Sequence, residues 1–346
     1  METEVLKVFT AAELKRIIRL RDGEKKLGEK VLLPGKKWQH ELEKSTATFV
    51  IIGIPEDIGV RANMGRPGTH SAYKPALTAF LNQQDNFFLP AESIMVLGEV
   101  AVSDLMRRAE EAEEQPGALN ALRQLVEVLD ERVSGIIKIV VAAGKVPVVI
   151  GGGHNNAYGN IRGASEALRS PINVINCDTH LDFRRAEGRH SGNGFSYAYD
   201  EGYLTRYAVL CMHEQYNNRH VLERFRDEAA RLHYESFESI FVRGEKDFGK
   251  AIRNCISFIK EGFCGVELDL DAISNVPSSA RTSSGIFPDQ ARQYVSACAG
   301  KLNCVYLHIA EAAPVLSHLK ADIKTGKLIA YLVSDFMKAY LAKQPF

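Results

Sequence analysis

The chain has 346 residues, of which 45% are hydrophobic and 25% charged, and its 43 Lys and Arg residues balance its 43 Asp and Glu residues. This is an ordinary globular composition, with ample apolar material for a buried core. A net charge of zero provides no general basic field, so no nucleic-acid or membrane partner is expected. The absence of a secretory segment at Met1, of a long apolar run and of a CxxC pair among six cysteines predicts a reduced cytoplasmic protein.

Residues 1–45 predict an N-terminal helical extension, in which Thr10 and Glu13 have the spacing of a capping box. From residue 46 onward, apolar β-branched runs alternate with amphipathic segments. The predicted strands are 48–55, 93–102, 146–150, 172–176, 208–212, 263–271 and 304–314, and the main predicted helices are 119–144, 155–168, 221–232, 248–262, 288–300 and 326–343. This alternation predicts one α/β domain, residues 46–346, with a parallel sheet covered on both faces.

Six potential metal ligands stand at the ends of predicted strands. They are His154, Asp178, His180, Asp182, Asp269 and Asp271. Because alternate residues of an extended chain point the same way, the DTHLD and DLD segments can each aim several of these side chains into one space. A DxD pair or a strand-end histidine seen alone is most often a solvated turn or a hydrogen-bonded side chain. Their joint occurrence at the carboxyl ends of predicted parallel strands indicates a metal site.

The charges of this set predict two ions rather than one. Four converging aspartates without cations would repel one another and raise one another's pKa. Two divalent ions carry four positive charges, which balance those four carboxylates. A ligand set of imidazoles and carboxylates suits Mn²⁺ or a similar ion better than a thiolate zinc site does.

The segments GGGH, DTHLD and ELDLD resemble the three metal motifs of the ureohydrolase superfamily, which includes arginase, agmatinase and formimidoylglutamase. The resemblance runs from about residue 48 to the C-terminus. It implies an arginase-like three-layer α/β/α fold with a mainly parallel sheet of about eight strands. It also implies two Mn²⁺ ions per subunit with a bridging hydroxide, a small-molecule amidino or guanidino substrate, and a homo-oligomer such as a trimer or hexamer.

The resemblance also implies individual roles. One ion would be held by His154, Asp178, Asp182 and Asp269, and the other by Asp178, His180, Asp269 and Asp271. The hydroxide would attack the carbon of an amidine or guanidine. Asp182 would form a hydrogen bond with the hydroxide and later transfer its proton. Glu311, in the AEAAP segment, would hold the cationic nitrogen group of the substrate. The alternative for Glu311 is a loop carboxylate without contact to substrate.

Departures from the arginase pattern indicate the substrate. Arg184 stands where arginases carry an asparagine, and Phe195 stands where they carry the histidine that shuttles a proton, while Ser191 and Asn193 are retained. A planar guanidinium is suited to bidentate capture of a carboxylate, and formimidoylglutamate has two carboxylates. The alternative for Arg184 is a salt bridge to a nearby acid such as Glu187.

The loop GVRANMGRPG resembles the corresponding segment of formimidoylglutamases, so Arg61, Asn63 and Arg66 are further candidates for substrate binding. A solvated turn is the alternative for this loop. The implied reaction is hydrolysis of N-formimidoyl-L-glutamate to L-glutamate and formamide, in histidine degradation. The other hypotheses are an arginase or another guanidino-acid ureohydrolase, and a non-catalytic binding protein on the same fold.

Other positions depart from the family pattern without a clear assignment. Glu267 stands where a small residue is common, Ser274 replaces a further aspartate, and the pair Asn155 and Asn156 follows the first ligand. His190 is a candidate replacement for the missing proton shuttle, and a surface-loop histidine is the alternative.

Overall fold

The computed structural model describes residues 5–35, 37–317 and 323–343. Its strands are β1 (Leu6–Val8), β2 (Phe49–Gly53), β3 (Ile94–Val100), β4 (Val146–Ile150), β5 (Ile172–Cys177), β6 (Leu204–Met212), β7 (Leu232–Ser236), β8 (Phe263–Asp269) and β9 (Asn303–Ala310). Its α-helices are α1 (Ala11–Ile17), α2 (Trp38–Lys44), α3 (Ile58–Ala62), α4 (Tyr73–Leu81), α5 (Ser103–Glu113), α6 (Ala118–Ala142), α7 (Asn156–Leu168), α8 (Gly194–Asp200), α9 (Arg219–Asp227), α10 (Phe248–Ile259), α11 (Pro288–Lys301) and α12 (Ile323–Lys343).

The strands form one nine-stranded sheet in the order β1-β3-β2-β4-β9-β8-β5-β6-β7. Every pairing is parallel except that of β1 with β3. The prediction of a mainly parallel sheet with helices on both faces is confirmed. Two short strands were not anticipated, because β1 has only three residues and β7 has the sequence LHYES, which is not an apolar run.

The sheet separates two hydrophobic cores. Along β2, Phe49 and Ile51 face the core that includes side chains of α4, α10, α11 and α12, whereas Val50 and Ile52 face the core that includes side chains of α6, α7, α8 and α9. This alternation follows from the period of two in an extended chain, and burial on both faces explains why the strands are apolar throughout. Helices thus cover both faces of the sheet. Because β2 to β9 run parallel, their carboxyl ends all lie at one edge of the sheet.

The N-terminal segment joins this sheet through one strand. Leu6 pairs with Val100 and Val8 with Gly98, so β1 covers the edge of β3. Thr10 caps α1, accepting from the Glu13 amide, and the Glu13 carboxylate accepts from the Thr10 amide, which is the capping box that the sequence predicts. The division of the chain at residue 45 stays a prediction. Among the described residues, none of the helices has the length and apolar character needed to cross a membrane.

The close packing of β2 against α4 gives a test of this fold. A Cβ added to Gly53 would lie 2.4 Å from ring atoms of Tyr73, whereas one added to Gly135, on the exposed side of α6, would meet no atom within 4 Å. We expect Gly53→Ala to destabilise the protein by roughly 1–3 kcal/mol through overpacking. Gly135→Ala is the matched control, and it should stabilise by roughly 0.5–1 kcal/mol because alanine favours the helix. Thermal unfolding midpoints check this order, and equal midpoints for the two variants would contradict it.

Candidate metal centre and substrate cleft

Four neighbouring strands of the sheet, β4, β9, β8 and β5, deliver the acidic and histidine side chains of the site. His154 follows β4, Glu311 follows β9, Asp269 ends β8, and Asp178 follows β5. The carboxyl ends of parallel strands meet at one edge, which is where α/β proteins bind ligands. The predicted ligands are therefore brought together by topology, although about 117 positions separate the first from the last.

The turn that carries His154 is fixed by a buried carboxylate that sequence reasoning missed. Gly151 and Gly152 have φ values of 92° and 76°, in the left-handed region that favours glycine. Glu56, in the loop after β2, accepts from the Gly153 amide at 2.9 Å and from Asn156 Nδ2 at 2.6 Å. Its position three residues after the end of an apolar strand is the signal that could have identified it.

One ring nitrogen of His154 faces three aspartates. Nδ1 lies 3.1 Å from Asp178 Oδ2, 3.0 Å from Asp182 Oδ2 and 3.2 Å from Asp269 Oδ2. On the other side of Asp178, His180 Nδ1 lies 3.5 Å from Asp178 Oδ1 and 3.1 Å from Asp271 Oδ2. Asp178 thus takes part in both groups, one oxygen in each.

These two groups fit divalent cations. The ligand atoms of His154, Asp178, Asp182 and Asp269 lie within 4.8 Å of one another, as do those of Asp178, His180 and Asp271. His154 is fully buried, yet within the described structure neither ring nitrogen has a hydrogen-bond partner. Buried polar groups are normally paired, so an orphaned imidazole beside three carboxylates has the chemistry of a metal ligand.

The carboxylates also repel one another. Burial, with the nearby charges of Asp271 and Asp178, raises the pKa of the Asp269 carboxyl well above its usual value. Burial and the charge of Asp178 raise the pKa of Asp182 to about 6. Cations among these groups would relieve the repulsion, which agrees with the charge balance expected from the sequence.

Glu311 is held against the same site. Its backbone has a φ of 62°, unusual for a residue with a side chain, and such strain is concentrated at functional sites. Oε1 accepts from the His154 amide at 2.7 Å, and Oε2 accepts from the Ser279 hydroxyl. Burial raises the pKa of Glu311 to about 8. The carboxylate is thus in contact with the predicted first ligand and turned into the cleft.

A cleft of about 290 Å³ opens over the two groups of candidate ligands around His154 and His180. Of the predicted substrate residues, Arg184, Asn63 and Ser191 line it. Arg184 Nη1 donates to Asn63 Oδ1 at 2.8 Å, and Asn63 Nδ2 donates to Ser191 Oγ at 3.2 Å. Other lining residues were not anticipated, and they include Tyr216, Asn218 and Ser279.

The remaining predicted substrate residues lie outside the cleft lining. Arg61 forms a bidentate pair with Glu113, with nitrogen–oxygen distances of 2.7 and 2.6 Å. Asn193 is buried and accepts from Arg189 Nη1 at 2.6 Å. Arg66 is exposed on the loop after α3. Substrate roles for these three stay predictions, and the contacts of Arg61 and Asn193 show that these two side chains are engaged within the protein.

His190 has both ring nitrogens engaged within its own loop. Nδ1 accepts from the Gly192 amide at 3.1 Å, and Nε2 lies 3.1 Å from Glu187 Oε1. The side chain is buried and does not line the cleft, and burial with the charge of Arg184 lowers its pKa to about 4. These contacts describe a residue that shapes the loop rather than a proton shuttle.

Phe195 packs behind the site. Its ring stands edge-on to His154 with centroids 5.0 Å apart and stacks on Tyr207 at 4.5 Å. It is completely buried, so the aromatic ring fixes the position of the imidazole and keeps water from that side. This contact was not foreseen from the sequence, which indicated only that Phe195 cannot transfer a proton.

The model of the arginase family matches residues 47–338. The chain belongs to the arginase family. It is accordingly a hydrolase of the class that acts on amidine or guanidino groups. A formimidoylglutamase of Streptococcus pyogenes serotype M3 is 26% identical over 278 residues, which are 77% of each protein.

Solved structures of the family share the fold. A Trypanosoma cruzi formiminoglutamase with Mn²⁺ is 21% identical, with a TM-score of 0.69 over 93% of this chain and 100% of that chain. The formimidoylglutamase of Bacillus subtilis is 16% identical, with a TM-score of 0.73 over 95% of each chain. The arginase-like fold that the motifs implied is therefore confirmed.

The wall of the cleft depends on a buried ion pair. Arg189 donates to Asp130 of α6 and to the Asn155 carbonyl, and its guanidinium lies between the rings of Tyr158 and Tyr197. It thereby ties the loop that carries Arg184 to α6 and to the His154 turn.

Removing this arginine should be costly. Arg189→Met leaves Asp130 buried without its partner, and we expect a loss of roughly 3–5 kcal/mol in stability. The double variant Arg189→Met with Asp130→Asn should recover part of that loss. Arg226→Met, at an exposed pair with Asp227, is the matched control and should change stability by less than about 0.5 kcal/mol. Thermal unfolding measures all three, and a neutral Arg189→Met would show that the pair does not hold the loop.

Proposed function

We propose that this protein is a Mn²⁺-dependent formimidoylglutamase, which hydrolyses N-formimidoyl-L-glutamate to L-glutamate and formamide. The observation that carries the proposal is the placement of Arg184 in a cleft whose floor is formed by acidic and histidine side chains. A guanidinium that lines the same cleft as the candidate metal ligands suits a substrate that ends in carboxylates. The names of the Streptococcus, Trypanosoma and Bacillus relatives support the same substrate.

Two Mn²⁺ ions would be held by the groups around His154 and His180. The first group offers His154, Asp178, Asp182 and Asp269, and the second offers Asp178, His180 and Asp271. Among the described residues, Asp178 belongs to both groups and Asp269 to the first, and the expected bridging of both ions by Asp269 stays a prediction. When bound, such a pair supplies an activated water nucleophile at neutral pH and polarises the amidine.

The protein's own groups would orient the substrate and move protons. Glu311 would hold the cationic amidine nitrogen, because its carboxylate lines the cleft beside His154. Asp182 would take the proton of the attacking water and deliver it to the glutamate nitrogen as the carbon–nitrogen bond breaks. The departing products, formamide and glutamate, then account for all atoms of substrate and water.

Arg184 would bind a substrate carboxylate. Its guanidinium donates to Asn63 and lies 2.7 Å from Glu187 Oε1, so the salt bridge that the sequence offered as an alternative is formed. Both partners hold the arginine at the cleft, and its side chain is 43% exposed, which leaves room for a ligand. The pair with Glu187 and a role in binding are compatible, since an exposed ion pair is weak and can be exchanged for a substrate carboxylate.

The reaction itself is the first test. Mn²⁺-loaded protein should release formamide and glutamate from formimidoylglutamate, and little urea from arginine. Dialysis against a chelator should abolish the activity, and added Mn²⁺ should restore it, because no protein group supplies the nucleophile. Product analysis on a panel that includes arginine and agmatine checks this. Rapid urea release without formamide would favour an arginase or a guanidino-acid hydrolase, and metal binding without turnover would favour a binding protein.

Arg184→Ala tests the assignment of the substrate. Loss of a charge-assisted hydrogen bond costs roughly 1.5–3 kcal/mol, so KM for formimidoylglutamate should rise about 10–100-fold, with a smaller effect on kcat. Arg184→Lys should be intermediate, because it keeps the charge but not the fork.

The neighbouring Arg185 provides the matched control. It is exposed and does not line the cleft, so Arg185→Ala should leave KM within about twofold of the wild type. Steady-state kinetics on the three variants decide the matter. An unchanged KM in Arg184→Ala would remove this residue from the binding site, even if the reaction is correct.

A further inference from the structure

A buried polar cluster lies behind His154, on the side away from the aspartates. Glu267 on β8, Tyr306 and His308 on β9, and His154 after β4 form this cluster, and all four are fully buried. We call it the back cluster. Glu267 is not among the predicted metal ligands and does not line the cleft.

The partners of Glu267 fix its carboxylate firmly. Oε1 accepts from the Tyr306 hydroxyl at 2.8 Å, and Oε2 lies 2.6 Å from His308 Nδ1. His308 Nε2 lies 3.3 Å from the Gly151 carbonyl, at the start of the turn that carries His154. The back cluster thus connects β8 through β9 to β4, and its orientation is set by three different strands.

The free end of this arrangement points to His154. Nε2 of His154 lies 3.4 Å from Glu267 Oε2, at an ion-pair distance but without the alignment of a hydrogen bond. Nδ1 of the same ring faces Asp178, Asp182 and Asp269. An imidazole that gives one nitrogen to a metal must carry its proton on the other, and a buried N–H needs an acceptor.

We propose that Glu267 is a positioning residue for the first metal group, and this inference rests on the proposed metal centre. Its carboxylate, 3.4 Å from Nε2, is placed to accept the Nε2 proton of His154 once Nδ1 binds a cation, and this would select the tautomer whose Nδ1 lone pair points to the aspartates. Tyr306 and His308 hold the carboxylate in place for that contact. Glu267 acts through His154 and does not itself touch substrate.

The test measures Mn²⁺ affinity without substrate. Chelator-treated Glu267→Gln and wild type are titrated with Mn²⁺ by calorimetry. The amide of Gln can present a donor to Nε2 and removes the charge, so we expect the affinity of one Mn²⁺ site to fall about 10–100-fold. The site built on His180, which has no contact with the back cluster in the described structure, should stay within about threefold. A general loss of structure would weaken both sites together.

A second buried glutamate provides the control. Glu235 on β7 is also buried and pairs with Lys246 at 2.6 Å and Asn254 at 2.8 Å, far along the sheet from the site. Glu235→Gln should lower the unfolding temperature of the metal-free protein without changing either Mn²⁺ affinity. If Glu267→Gln does not fold, Tyr306→Phe decides, because it frees one carboxylate oxygen and should weaken the same site at least threefold.

Each outcome bears on one claim. Suppose that the wild type binds two Mn²⁺ per chain and that Glu267→Gln binds both with wild-type affinity. That result would overturn the positioning role and leave the proposed function standing. Tyr306→Phe takes the place of Glu267→Gln if the latter does not fold. A third equivalent of Mn²⁺ that disappears in Glu267→Gln would also overturn the positioning role, since His154, Glu267 and His308 would then be ligands themselves. Absence of Mn²⁺ binding in the wild type would overturn both the metal centre and this inference.

Discussion

The repulsion between buried aspartates is the constraint on which the rest of the site depends. Asp178, Asp269 and Asp271 are buried, and Asp182 is largely so, and it is costly to bury four neighbouring acids that share so few cationic partners. Hydrogen bonds from backbone amides offset part of this cost. Asp178 Oδ1 accepts from the His180 amide and Asp269 Oδ1 accepts from the Asp271 amide, each at 2.7 Å. In both residues the other oxygen is left facing His154 Nδ1. The backbone amides that follow each strand therefore orient the two carboxylates.

Much of this centre follows from local sequence. The period of two in DTHLD and DLD predicts which side chains share a space, and apolar runs before them predict the strands. Those predictions depend only on neighbouring residues and on the rule that parallel strands end at one edge. The same rule applied to the loop after β2 would have drawn attention to Glu56, since that residue lies three positions after the end of an apolar strand.

The partners of the substrate residues could not be predicted in the same way. Arg61 meets Glu113, which is 52 positions away, and Arg184 meets Asn63, which is 121 positions away. Whether an arginine is committed to an internal pair or faces a cleft depends on these long-range contacts, which no local pattern encodes. Phe195 shows the same limit. Its chemistry indicates what it cannot do, whereas its packing against His154 follows only from how α8 sits over the sheet.

The loop from Arg184 to Asn193 forms a wall of the cleft. Hydrogen bonds inside the loop make it rigid, although most of its outer residues are polar. Arg189 anchors it in the interior, Asn193 donates to the Gly188 carbonyl at 2.8 Å, and Ser196 donates to the Arg184 carbonyl. Arg184 itself is therefore presented on a fixed backbone. Preorganisation of this kind would lower the entropy lost on binding the diacid substrate that we propose, so binding would depend on the interior of the loop as well as on its surface.

The back cluster shows how a glutamate can be accommodated in the buried interior of the sheet. A buried carboxylate is tolerated only when its oxygens are satisfied, and here Tyr306 and His308 satisfy them from one adjacent strand. A small residue at this position would leave the Tyr306 hydroxyl and His308 Nδ1 without their acceptor, and it would remove the carboxylate that lies 3.4 Å from His154 Nε2. The three residues are thus mutually dependent: loss of Glu267 leaves two buried donors unpaired, and loss of Tyr306 or His308 leaves an oxygen of the Glu267 carboxylate without its donor. The back cluster contacts the imidazole of His154, the first candidate metal ligand. We infer that the three residues are kept together because they position this imidazole.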